Sequence, residues 1–245
     1  MVAHCLLIET ESGLVLVDTG LGCDDIVSAK TRLSLGFRLL GNPRLEQQET
    51  AVCQVEQLGY RRSDVRHIIL THLDLDHAGG ISDFPQAQVH LLQCELRAAQ
   101  AAGGVMHRFR YRPAQWQQHS HWVTYQPVGE KWFGFESVRS LQGLPPEILL
   151  IPLPGHTHGH AGIAIQTSQG WLLHAGDAYF HRNELNHYAP TCPLGLRLFQ
   201  RLLATDYRDV LRNQQRLRHL IHSHNSSIQV FSSHDSSEFK QLRHV

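Results

Sequence analysis

Long hydrophobic runs are missing from this 245-residue sequence. No apolar stretch approaches the roughly 18 residues of a membrane-spanning helix, and no basic-then-apolar leader opens the chain. Net charge is missing too, because 22 Lys and Arg balance 22 Asp and Glu. Without a global basic field or an acidic tail, nothing favours a nucleic-acid partner. Cysteine is sparse: Cys5, Cys23, Cys53, Cys94 and Cys192 are scattered, with no Cys-x-x-Cys pair. That pattern fits reduced thiols, not a disulfide framework. A Gly-x-Ser-x-Gly elbow, repeats, low-complexity tracts and a domain linker are also absent, so serine-nucleophile chemistry has no local signature. These absences lead to the expectation of a soluble cytoplasmic protein acting on a small molecule, with no nucleic acid and no membrane. The length suits one domain with a substantial core.

Histidine is abundant, at 19 residues. The densest cluster is Thr71-His72-Leu73-Asp74-Leu75-Asp76-His77-Ala78-Gly79-Gly80, directly after the apolar run Ile68-Ile69-Leu70. Carboxylates and imidazoles crowded at a strand end are costly to desolvate, and a divalent cation offsets that cost. Four other strand-like runs end in the same kind of residue. They are Val17-Asp18-Thr19-Gly20, Pro154-Gly155-His156-Thr157-His158-Gly159-His160, Gly176-Asp177-Ala178 and Ser233-His234-Asp235.

Around these ends the sequence reads as alternating strands and helices. A hairpin is expected at residues 5–17, a helix at 49–58, and a strand at 65–70 feeding the cluster. Further strands are expected at 87–92, 148–153, 162–166, 171–174 and 228–231, with helices at 94–102 and through most of 196–220. Residues 21–50 read as a partly helical excursion over the site. Residues 104–136 carry Phe109, Tyr111, Trp116, Trp122, Tyr125, Trp132, Phe133 and Phe135. They read either as a satellite core or as an aromatic wall of a pocket. Arg108, Arg110 and Arg112 within them read as a solvated face or as an anion-contacting lid.

Taken in order, the five strand ends resemble the metallo-β-lactamase-fold hydrolases. The Asp-Thr-Gly followed by Thr-His-Leu-x-x-Asp-His-Ala-Gly-Gly is most similar to the branch containing acyl-homoserine lactonases. The resemblance implies an α/β fold, an αββα sandwich, as a single domain over residues 1–245 with lid-like segments near 21–50 and 104–136. It implies two divalent metal ions, Zn first and Mn or Fe as alternatives, held by His72, Asp74, Asp76, His77, His156, Asp177 and His234. Asp177 would serve both metals. His224 competes with His234 for the last place; His234 is preferred because Ile228-Gln229-Val230-Phe231 before it alternates like a strand. Asp74 departs from the family pattern, which has histidine there. An oxygen ligand shifts preference toward Mn or Fe, and nearby His158 is a possible substitute. Asp18 and His160 are expected to orient ligands.

The implied activity is hydrolysis of an ester-like bond by a metal-bound hydroxide, a lactone before a thioester or phosphodiester. Asp76 and Tyr179 are the expected catalytic residues. The resembling lactonases place a tyrosine three residues after the bridging aspartate, where this chain has Phe180; Tyr179 stands one residue earlier. A diiron redox protein and a non-catalytic binding module are the competing classes.

Overall fold

The computed structural model describes residues 1–242 and forms two compact units. One unit holds Cys5–Leu91 and Leu96–Thr124; the other holds Met1–His4, Leu92–Glu95 and the chain from Tyr125 onward.

The first unit is organised on a five-stranded sheet in the order β1-β2-β3-β4-β5. Its strands are β1 (Leu6–Thr10), β2 (Gly13–Val17), β3 (Val65–Ile69), β4 (Gln88–Leu92) and β5 (Trp122–Tyr125). β1 and β2 form an antiparallel hairpin, while β2–β3 and β3–β4 are parallel. Parallel neighbours need crossovers. The helix Ala51–Gln57 lies in the crossover from β2 to β3, its Thr50 side chain accepting from Cys53 N as an N-cap. Val52 and Val55 on one face of that helix pack into a core with Leu16, Ile68, Leu70, Ile81, Phe84, Val89, Tyr111 and Trp116. Because β2 and β3 run parallel, their carboxyl ends lie side by side. That register places Asp18 next to Thr71.

Residues 104–116 do not hang over this unit as a loose lid. Arg112 donates to the carbonyls of Arg32 and Thr31, Arg32 donates to the carbonyl of Ala114, and Gln115 donates to Asp25 and to the carbonyl of Leu75. The segment is thereby tied to the short helix Leu75–Ala78 inside the His-Asp cluster.

The second unit has a six-stranded sheet in the order β11-β10-β9-β8-β7-β6. The strands are β6 (Glu130–Trp132), β7 (Phe135–Ser140), β8 (Ile148–Pro152), β9 (Ala161–Thr167), β10 (Gly170–His174) and β11 (Ile228–Phe231). All pairings are antiparallel except β10–β11. Trp132, Phe135, Ile151, Leu153, Leu173, Tyr179, Leu217 and Leu220 form its core.

The sequence reading differs from the structure in two places. β5, β6 and β7 arise within or just after residues 104–136, where the sequence indicates no strand because aromatic spacing there carries no clear alternation. The stretch 196–220, expected to be mostly helical, is two helices, Leu194–Leu203 and Tyr207–His224. Asp206 between them accepts from Arg208 N and Asp209 N, starting a new helix where apolar periodicity alone shows continuity.

Candidate metal-binding groups

In the first unit, β2 delivers Asp18 and β3 delivers Thr71 to His77. Asp18 has φ of 55°, the left-handed region that non-glycine residues avoid. The conformation turns its carboxylate across the sheet end. Oδ1 accepts from Thr71 N at 2.8 Å, and Oδ2 accepts from Thr71 Oγ1 at 2.8 Å. His77 Nδ1 lies 2.8 Å from the same Oδ2. A carboxylate only accepts, so His77 carries its proton on Nδ1 and its lone pair on Nε2. Thr71 has one hydroxyl proton and gives it to Asp18. Thr71 Oγ1 therefore accepts from His72 Nδ1 at 2.9 Å, which leaves the His72 lone pair on Nε2 as well. One buried aspartate thus sets the tautomers of two buried histidines, whose ring centroids are 4.0 Å apart.

Asp74 starts the short helix Leu75–Ala78, its carbonyl accepting from His77 N and Ala78 N. Its Oδ2 lies 3.4 Å from His72 Nε2, and its Oδ1 lies 3.3 Å from Arg110 Nη1. Asp76 is the more exposed carboxylate, with 22% of its side chain accessible and Oδ1 4.0 Å from His77 Nε2. Gly79 follows because a Cβ there would collide with Asp25 and the Gly20 carbonyl. The Gly-Gly pair lets the cluster press against the loop after β2, where Gly80 N donates to Thr19 Oγ1 at 3.0 Å.

In the second unit, the loop after β8 carries His156. That loop is fastened to the start of the helix Tyr207–His224: Asn213 donates to the Pro154 carbonyl, Thr205 N to the His156 carbonyl and Asp206 N to the Gly155 carbonyl. Gly155, at φ of 136°, packs against the backbone of Val210, which a side chain would not allow. His160 donates from Nδ1 to the Leu153 carbonyl and accepts from Asp177 N at 2.8 Å, so it positions Asp177 through the backbone. His234 donates from Nδ1 to the Val2 carbonyl at 2.7 Å, which directs its Nε2 lone pair toward Asp177. Asp177 Oδ2 lies 3.1 Å from His234 Nε2 and 3.4 Å from His156 Nε2.

The donor chemistry fits a divalent cation. In both units an imidazole Nε2 bearing a lone pair stands beside a carboxylate oxygen. Two acceptors facing each other in a buried setting repel unless a proton or a cation lies with them. Imidazole nitrogen and carboxylate oxygen, with the second ring nitrogen tied to a carboxylate or carbonyl, are the ligands and supports that Zn and similar ions take.

Residues 1–222 match the sequence family of the metallo-β-lactamase superfamily. The chain belongs to that superfamily. Relatives include a probable metallo-hydrolase of Mycobacterium tuberculosis, 42% identical over 99% of this chain and 77% of its own length. An N-acyl homoserine lactonase of Bacillus thuringiensis is 27% identical over 76% of this chain and 67% of its own. A crystal structure of a B. thuringiensis AiiA mutant, with N-decanoyl-L-homoserine at its active site, is similar in fold. Its TM-score is 0.71 at 23% identity, covering 98% of this chain and 83% of that one. The superfamily member described here is therefore a metallohydrolase with the metallo-β-lactamase fold, and it binds divalent metal.

Other residues singled out from the sequence lie elsewhere. Tyr179 is fully buried in the core of the second unit, and its hydroxyl donates to Glu238 at 2.9 Å. Burial, with the nearby Glu238 charge, pushes its pKa well above the usual tyrosine value. That placement gives Tyr179 a structural partner, not an open catalytic position. Phe180 instead lies against the histidines, with ring centroids 5.2 Å from His234 and 5.9 Å from His156. His224 ends its helix with its ring against Phe133. His158 is exposed. Sequence reasoning gave Thr71 and the Val2 carbonyl no role, and it read Arg110 as part of a solvated face or an anion-contacting lid, whereas Arg110 is buried against Asp74. Only Thr71 carried a signal, as a hydroxyl next to a candidate ligand.

Among the described residues, no helix is long and apolar enough to cross a membrane.

Proposed function

We propose that His72, Asp74, Asp76, His77, His156, Asp177 and His234 act as one ligand set for two divalent ions, Zn foremost. We further propose that the enzyme hydrolyses an ester-like bond in a small molecule, a lactone above all. The observation that carries this reading is the Asp18–Thr71–His72/His77 network. It serves no core-packing purpose, yet it fixes two Nε2 lone pairs beside acidic side chains. Kinship to the N-acyl homoserine lactonase favours the lactone.

When bound, the cations supply Lewis acidity and bring the pKa of water from about 15.7 toward 7. This chain's own residues do the rest. Asp177, whose carboxylate stands beside two histidines, would serve both ions. Asp76, with 22% of its side chain accessible, is the carboxylate of the set that solvent reaches most. Tyr179 and Glu238 hold the Asp177 segment in place from behind. Phe180 excludes water from the face of His156 and His234.

The test is a panel of homoserine lactones of varied acyl length, aryl esters, thioesters and phosphodiesters. Each is assayed with protein freed of metal and reloaded separately with Zn, Mn or Fe. The expected result is metal-restored lactone opening with the highest kcat/KM in the panel. A metal-loaded protein that cleaves only phosphodiesters or only thioesters would replace the lactone by that substrate class.

A further inference from the structure

The three arginines between residues 108 and 112 have three different surroundings. Arg108 is exposed, and Arg112 spends its guanidinium on the carbonyls of Thr31, Arg32 and Arg108. Arg110, at the end of the helix Val105–Arg110, is buried at 6% exposure, with Nη1 3.3 Å from Asp74 Oδ1. Asp74 itself is buried at 8% exposure. A guanidinium removed from water is costly unless a paired charge offsets it. Its position against Asp74 is thus a structural commitment and not a surface accident.

We propose that Arg110 is the counter-charge that makes an aspartate workable at position 74; this rests on the metal-binding reading above. A histidine there would bring no charge, and an aspartate alone would bring one negative charge. Aspartate with Arg110 returns the formal charge to zero while keeping an oxygen donor. The two oxygens divide the work. Oδ1 faces the arginine, and Oδ2 stands 3.4 Å from His72 Nε2, on the side where the ligands gather. Arg110 is then a positioning residue. It fixes the carboxylate's rotation and weakens the pull of that carboxylate on a cation, and it does so from a helix that begins some thirty residues downstream. Residues 74 and 110 form one functional unit, so the simple exchange Asp74→His does not recreate a histidine-type site. It strands a buried guanidinium beside incoming metal.

A double-mutant cycle tests this with wild type, Arg110→Met, Asp74→His and Asp74→His/Arg110→Met, and with Arg110→Lys as the charge-conserving control. Two quantities are read: the thermal midpoint in excess chelator, and the Zn dissociation constant from competition with a chromophoric chelator. Each single variant is expected to lower the metal-free midpoint, and the double variant to recover much of that loss. Zn is expected to bind about tenfold or more weakly to Asp74→His than to the double variant, because one like charge is removed at close range. Arg110→Lys is expected to stay near wild type in Zn affinity. Additive midpoints, or equal Zn affinity in Asp74→His and the double variant, overturn the proposal. Failure of the metal-binding reading is seen separately, as wild type that takes up no Zn at all.

Discussion

Thr71 shows how much depends on one proton. Its hydroxyl donates to Asp18 and accepts from His72, so a single atom links the aspartate to that histidine. Thr71→Val keeps shape and removes that link. The expected outcome is a loss of metal affinity of about tenfold, with Thr71→Ser close to wild type, both measured by chelator competition. Asp18→Asn is expected to cost more, about 10- to 100-fold, because the amide brings a donor where His77 and Thr71 both need an acceptor. If Asp18→Asn binds Zn as wild type does, the tautomer argument is wrong. Phe180→Tyr is expected to raise lactone kcat with little change in thioester turnover, since it sets a hydroxyl beside His156 and His234. An unchanged ratio of the two rates would remove any link between this position and lactones. At this scale the ligand residue types and their order were legible in the sequence. Their supports were not, because a threonine, a backbone carbonyl and an arginine distant in sequence leave no spacing signature.

The elements behave as local physics directs, and the two misreadings have clear causes. Strands β2, β3, β8, β9, β10 and β11 were legible because apolar alternation or short apolar runs end in turn residues. The break between Leu194–Leu203 and Tyr207–His224 was not, although Asp206 is a good cap residue, because the apolar face continues across it. Asp206→Ala removes two accepted hydrogen bonds and is expected to lower unfolding free energy by about 1 kcal/mol in a urea titration. The cap also braces the loop carrying His156 through Asp206 N and the Gly155 carbonyl, so metal affinity should fall slightly in the same variant. A variant with unchanged stability would mean that packing alone starts this helix. The strands from Trp122 to Ser140 were missed because their aromatic residues fall at irregular spacing and divide between two cores. Tyr111 and Trp116 are buried in the first unit, and Trp132 and Phe135 in the second.

For the whole molecule, pH dependence follows from buried titratable groups away from the ligands. Burial, helped by His174, lowers His4 from 6.5 to about 4; burial, helped by His67, lowers His90 from 6.5 to about 3. Both histidines are neutral in the folded protein and take a proton when unfolded, so their stabilisation is full above 6.5 and is lost as pH falls toward the folded values. Glu238 runs the other way. Burial raises it from 4.5 to about 7, so its contribution is full below 4.5 and is lost as pH rises through 7. Between pH 6.5 and 4.5 two groups lose stability on acidification and one gains. Stability from these three falls on acidification, slowly near pH 6.5 and by about 1.4 kcal/mol per pH unit near pH 5. Glu238→Gln removes the opposing group and should steepen the acid loss in chelator-treated protein, followed by urea titration at several pH values. An unchanged slope would mean that Glu238 is ionised in the folded state. The fold itself was legible at this scale because five strand-like runs end in His or Asp in the family order.

Seven residues from four strand ends serving one pair of metal ions is the central proposal. Elemental analysis of the protein purified without added metal, wild type beside Asp177→Ala and Asp74→Ala, addresses it most directly. Wild type is expected to hold about two equivalents of divalent metal per chain, with the largest loss in Asp177→Ala and a smaller loss in Asp74→Ala. Equal metal content in wild type and Asp177→Ala would contradict it.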